Sequence, residues 1–176
     1  MREAAADLGR SLAARGLELV YGGGSTGLMG VLADTVLTAG GSVTGVIPRA
    51  LVHRERGHHG VTDLRVVGSM HERKATMAEL ADGFVALPGG LGTLEEIAEA
   101  LTWSQLGLHR KPCGLLNAEG YFDPLIQWLD RAVEEGFVSQ TSREMLLVAD
   151  RPGELLDRFA AYRPPDVPHW IDESEL

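Results

Sequence analysis

The stretch Pro88-Gly89-Gly90-Leu91-Gly92-Thr93-Leu94-Glu95-Glu96 constrains this chain more than any other. The apolar run Gly83-Phe84-Val85-Ala86-Leu87 before it reads as a buried strand, and Ile97-Ala98-Glu99-Ala100-Leu101 after it carries a helical pattern. Glycines at a strand-to-helix corner leave backbone N–H groups bare, so an anion can approach the positive end of the helix. A carboxylate set into the same corner is placed to meet a developing positive charge. An anion seat beside a fixed carboxylate suits chemistry on a phosphorylated sugar.

Elsewhere strands and helices alternate. Helical spacing over 4–15, 28–38, 69–81, 93–106, 122–135 and 153–162 is interleaved with apolar runs at 17–21, 42–47, 64–67, 83–87, 113–116 and 145–148. Mostly uninterrupted apolar strands predict an α/β fold with a parallel sheet covered by helices on both faces. The stretch 49–60 is polar and reads as a loop with a short helix, and the Pro-rich acidic tail 163–176 as a surface strap or disordered segment. Ligands of such sheets sit beyond the carboxyl ends of the strands. Three loops with unusual chemistry follow strands: 22–27, 68–74 and 88–96. They are expected on one edge of the sheet.

Gly22-Gly23-Gly24-Ser25-Thr26-Gly27 formally matches a dinucleotide fingerprint, but the next strand ends Val46-Ile47-Pro48 without the acid that would hold a ribose hydroxyl. No Lys-Ser/Thr pair follows, which excludes a Walker loop. Either the loop is a plain tight turn, or Gly23, Gly24 and Ser25 help to seat a mononucleotide or sugar phosphate. The shared edge with a second glycine corner favours the seat.

Ser69-x-x-Glu72 has the form of a capping box, and Arg73 and Lys74 follow at once. Cations near a helix N-terminus oppose the macrodipole by up to about 1 kcal/mol, which an anionic ligand would offset. Arg73 is the stronger candidate for a ligand contact. Thr93-x-x-Glu96 is a second capping-box pattern, so Glu96 has two readings. As a cap it needs only an acceptor; as the stabiliser of an oxocarbenium-like transition state it needs its charge.

Composition narrows the partners. The net charge of -9 argues against a nucleic-acid surface, and the lone Cys113 excludes a disulfide framework or cysteine metal cluster. His53, His58 and His59 lie near one another, but in no metal-ligand pattern and with no obvious acidic partner, so a surface cluster is expected. His109 is expected to be structural or exposed. No apolar run approaches membrane-spanning length and nothing reads as a signal peptide, so a cytoplasmic protein without a membrane partner is expected.

Gly22 to Gly30, Met70-His71-Glu72-Arg73-Lys74 and Pro88-Gly89-Gly90-x-Gly92-Thr93-x-x-Glu96 occur in this order and closely resemble the LONELY GUY (LOG) family of cytokinin riboside 5'-monophosphate phosphoribohydrolases, often mislabelled lysine decarboxylases. The likeness extends through Thr102-Trp103 and the segment 111–137. It implies one Rossmann-like domain over 1–162, a homodimer, and hydrolysis of the N-glycosidic bond of an adenine-type nucleoside 5'-monophosphate without metal or cofactor. It also implies that Arg73 and Glu96 are the catalytic pair, and that Lys74, Gly90, Leu91, Gly92, Thr93, Leu94, Glu95 and Thr102 contact substrate. The resemblance does not decide which group protonates the leaving base. A non-catalytic nucleotide-binding or carrier protein is the alternative reading. Family members usually begin with a further strand and a Cys-Gly-Ser-Ser-like turn, whereas this sequence opens at Met1-Arg2-Glu3, inside the first helix. A chain extended upstream by that strand is therefore expected to be more stable or more active.

Overall fold

The computed structural model describes residues 1–53 and 56–166. It divides into two compact units, Met1–Ala81 and Asp82–Leu176. In the first, α1 (Arg2–Ala14) buries Ala5, Leu8, Gly9 and Leu12, the one-face spacing of an amphipathic helix. It packs against α2 (Gly27–Thr38), which buries Gly30, Leu32, Ala33 and Val36. Three parallel strands follow in the order β1 (Leu19–Tyr21), β2 (Val43–Pro48), β3 (Asp63–Val67). Leu19 pairs with Val43 and Thr44 with Asp63. Every residue of β2 is buried, as a strand covered on both faces must be. Helix α3 (Met70–Leu80) packs on all three strands. It starts at the expected N-cap: Ser69 Oγ accepts the Glu72 N–H at 3.1 Å, while Glu72 Oε2 reaches back to the Gly68 N–H at 2.6 Å, one residue before the cap.

The second unit repeats the sequential order with β4 (Phe84–Ala86), β5 (Cys113–Leu116) and β6 (Leu146–Ala149), all parallel. Helix α4 (Leu91–Gln105) contributes Ile97 and Ala100 to a core with Ala86, Cys113, Leu115, Phe122 and Leu146. Leu125, Ile126 and Leu129 of α5 (Asp123–Glu134) pack against this core. Burial pushes the Cys113 thiol up to about 12, so it behaves as a small apolar side chain. A short α6 (Gln140–Glu144), which has no counterpart in the sequence reading, precedes β6, and α7 (Pro152–Ala161) packs on β5 and β6. Residues 162–166 carry no regular structure, and the rest of the expected tail, 167–176, lies outside the described residues.

The α/β class and the parallel pairing are as expected, but the strands pair as two three-stranded sheets rather than as one. Alternation of apolar runs gives the number and order of strands; it carries no information about which edges meet. Among the described residues no helix is long and apolar enough to cross a membrane.

His109 is a structural residue. Its Nε2 donates to Ala100 O at 2.9 Å and its Nδ1 accepts the Lys111 N–H at 3.2 Å, which ties the end of α4 to the approach to β5. Burial lowers its pKa from the ordinary 6.5, with the neighbouring Lys111 charge adding to the shift and the bond to Ala100 opposing it. Because the folded pKa is depressed, the stabilisation is complete above the unfolded value of about 6.5 and is lost as the pH falls from there through the folded value. Melting temperatures recorded between pH 5 and 8 should therefore fall more on the acid side for the wild type than for His109→Gln. Parallel curves would contradict this assignment.

Candidate active site

Chemistry-bearing residues collect at the carboxyl end of a strand in each unit. In the first, β1 runs into Gly22, and α3 brings Arg73 beneath it. Arg73 is only 6% exposed, and its Nη2 donates to Gly22 O at 3.2 Å. Nη1 lies 3.8 Å from Met70 Sδ, one turn back along the helix. Burying a guanidinium is costly unless its donors are used, so α3 and the end of β1 are fixed to one another. A Cβ on Gly22 would lie 1.9 Å from Arg73 Nη2, so only glycine admits this approach. Gly23 follows at φ +73, which turns the chain off the strand.

The loop then leads into α2, whose N-cap Thr26 makes no side-chain capping bond. Gly24 forms an antiparallel bridge with Gly57, and the His58 N–H donates to Gly23 O at 2.8 Å. Both the Ser25 N–H (3.1 Å) and the Ser25 hydroxyl (2.6 Å) donate to Arg56 O. Ser25 is thus turned towards its own scaffold through both donors. Parallel strands place the loops after β1 and β3 on one edge of this sheet, so the structure brings Gly23, Gly24 and Arg73 to the same end. Lys74 follows Arg73 on α3 and is half-buried.

In the second unit β4 leads through Pro88 and Gly89 to Gly90, the N-cap of α4, which has no capping side chain and no acidic residue in its first turn. The helix begins at Leu91, not at the expected Thr93. Thr93 is therefore the third helical residue and Glu96 the sixth. A capping box requires the acid at the third position, so the capping reading of Glu96 does not survive. Glu96 is a half-buried carboxylate in the second turn of α4. The positions of Gly90 and Gly92 face open space, whereas the Thr93 side chain folds back over Gly89. The first turn of this four-turn helix thus has no side-chain cap for its N–H groups, which is the positive end of the helix dipole.

Leu91 is 85% exposed in this first turn, Leu94 and Glu95 are exposed, and Thr102 lies on the exposed part of the helix with its hydroxyl donating to Ala98 O at 2.8 Å. Tyr121 was not singled out from the sequence. Its hydroxyl donates to Gly89 O at 2.6 Å and braces the corner from a separate loop. Nothing local marks such a contact, because the partners are 32 residues apart.

The histidine cluster also differs from expectation. His58 is largely buried and its Nε2 donates to Asp34 Oδ1 at 2.9 Å, so an acidic partner exists, supplied by α2. Among the described residues no group of three or more His, Cys, Asp or Glu is arranged to hold a metal ion.

Comparison with known proteins gives a consistent picture. A family model described as possible lysine decarboxylase matches residues 29–159. The cytokinin riboside 5'-monophosphate phosphoribohydrolase LOG3 of Arabidopsis thaliana is 50% identical over 163 residues, which cover 93% of this chain and 76% of that protein. The probable enzyme LOGL2 of Oryza sativa subsp. japonica is 48% identical, over 93% of this chain and 67% of its own length. Among solved structures, a molybdenum cofactor binding protein from Rippkaea orientalis aligns with a TM-score of 0.67 at 25% identity, covering 91% of this chain and 86% of that one. The molybdenum cofactor carrier protein of Chlamydomonas reinhardtii aligns at 0.64 and 23% identity, over 92% and 89%, and so shows the fold alone.

The corner at Gly22 gives a direct test of this packing. Gly22→Ala drives a methyl group into the buried guanidinium and should destabilise the protein by about 1–3 kcal/mol, the usual range for overpacking. Chemical denaturation reads it; a midpoint equal to wild type would show that Arg73 is not held against β1.

Proposed function

The chain belongs to the LOG family, whose model carries the lysine decarboxylase description, and from that premise we propose that it hydrolyses the N-glycosidic bond of cytokinin riboside 5'-monophosphates or AMP. The products are an adenine-type base and ribose 5-phosphate. The observation that carries the proposal is Glu96, a half-buried carboxylate in the second turn of a helix whose N-terminus has no side-chain cap. It stands in a chain about half identical to proteins named as such hydrolases.

In this reading the phosphate is held by the glycine corners, including Gly23 and Gly24, with Ser25 bracing the first corner through its bonds to Arg56 O and Arg73 supplying positive charge. Lys74, the residues Gly90 to Glu95 and Thr102 complete the substrate contacts. Positive charge develops on the ribose as the C1'–N bond lengthens, and the Glu96 carboxylate stabilises it and orients the attacking water. No metal or cofactor is required by these steps. Residues 1–162 act as one catalytic domain, and the enzyme works as a cytoplasmic homodimer without a nucleic-acid partner.

A decarboxylase reading has little to stand on. Schiff-base chemistry needs a lysine in a cofactor cradle, and the sequence holds only Lys74, in the helix beside Arg73, and Lys111, in the turn organised by His109. A carrier reading has one observation in its favour, the structural likeness to a molybdenum cofactor binding protein. The difference between 50% and 25% identity weighs against it.

The test is product formation from isopentenyladenosine 5'-monophosphate, AMP and the unphosphorylated riboside. The monophosphates should yield free base and ribose 5-phosphate, and the riboside should react with kcat/KM lower by about 100-fold or more, the loss expected when a charged anchor goes unused. Tight binding of AMP with no base released would overturn the hydrolase reading in favour of a carrier.

A further inference from the structure

The pair Asp34–His58 has no part in the chemistry above, yet it controls the scaffold of the first glycine corner. The segment around Arg56 to Gly60 lies against that corner like a short strand. It supplies the Gly24–Gly57 bridge, the His58 N–H to Gly23 O and the Arg56 carbonyl that takes both Ser25 donors. Arg56 itself sits at φ +49, in the left-handed region, so the segment does not hold this shape on its own account. Something must fix it from outside.

The His58 ring does so. Its Nε2 donates to Asp34 Oδ1 at 2.9 Å, and its Nδ1 accepts the Gly60 N–H at 3.2 Å. With both nitrogens used, the tautomer and the ring orientation are set. Asp34 belongs to α2, about two turns beyond the point where that helix leaves the corner. The corner is therefore held between two bodies, the strap and the helix, that this hydrogen bond joins. Tyr21, the last residue of β1 before the corner, senses the same carboxylate: burial first and the Asp34 charge second push its phenol above the ordinary value.

The magnitudes separate two roles. The Asp34 side chain is 69% exposed, and a hydrogen bond to so exposed a carboxylate adds little to global stability. The His58 side chain is only 12% exposed and joins elements that frame Gly23 to Ser25. The effect of the pair falls on local geometry.

We propose that Asp34 and His58 are positioning residues that hold the Gly22–Gly27 corner in the conformation that receives a phosphate monoester. This rests on the reading of that corner as the phosphate seat. Neither residue touches the reacting atoms. They act through the strap backbone, so their loss should weaken phosphate binding and leave the glycosidic step alone.

The test uses His58→Phe, which keeps ring volume and removes both bonds, and Asp34→Asn, which keeps an acceptor for His58 and removes the charge. For His58→Phe, KM for the nucleoside monophosphate and the inhibition constant of ribose 5-phosphate should rise together by about tenfold, with kcat within about twofold of wild type. Asp34→Asn should show a smaller rise in both, as partial rescue by the retained bond. A lower melting temperature with KM and ribose 5-phosphate inhibition unchanged would overturn the proposal, since the pair would then be structural only. If the wild type releases no base, the hydrolase reading fails separately. Calorimetric binding of ribose 5-phosphate to the same proteins then decides the positioning role: weakened binding supports it and equal dissociation constants overturn it.

Discussion

A guanidinium taken out of water has to be met by acceptors, and the first half of this molecule is organised around that requirement. Arg73 reaches from the second turn of α3 to the carbonyl at the end of β1. The contact is possible only because residue 22 has no side chain. It sets where β1 stops and where the loop turns, and it brings a permanent positive charge to the strand ends. The same guanidinium thereby serves the fold and, on the proposed function, the charge of the phosphate site. The second half solves a related problem with other means. There the corner after β4 is braced by a tyrosine hydroxyl on Gly89 O, and the N-terminus of α4 is left without a side-chain cap. In both halves the glycines define the corner, and residues distant in sequence make it rigid.

Much of this was legible in the sequence. The helices and strands lie within a few residues of the periodic patterns, because one-face burial in helices and continuous burial in central strands leave distinct signatures. The Ser69 N-cap formed where the pattern put it, since its bond to the Glu72 N–H lies within four consecutive residues, although the Glu72 carboxylate went one residue further back, to Gly68. The Thr93-Glu96 pattern did not. α4 begins two residues earlier, at Leu91, because Gly90 takes the N-cap position and a short-range pattern cannot fix which residue starts a helix. That displacement removes the capping-box explanation for Glu96. The contacts Tyr121–Gly89, His58–Asp34 and Arg73–Gly22 were not legible, because each joins segments 24 to 51 residues apart. Sheet partners were equally hidden: order along the chain was readable, and edge pairing was not.

Family membership and site geometry bear on different questions. An identity of about half over 93% of the chain assigns the family, and the likeness to molybdenum cofactor binding proteins shows how far the same framework extends. A framework of glycine corners and helix N-termini can hold a phosphorylated ligand with or without turnover. Glu96 bears on that choice, because a binding site for an anion gains nothing from a nearby negative charge. On the proposed mechanism, that charge faces a cation that forms during reaction.

The most direct measurement is single-turnover base release by Glu96→Gln. Glutamine keeps the size and an acceptor while removing the charge, and a melting temperature recorded beside the rate separates loss of chemistry from loss of fold. The account predicts a loss in rate of about 100-fold or more, the scale of one electrostatic stabiliser of a transition state. Turnover within about threefold of wild type would contradict it and remove the carboxylate from the mechanism.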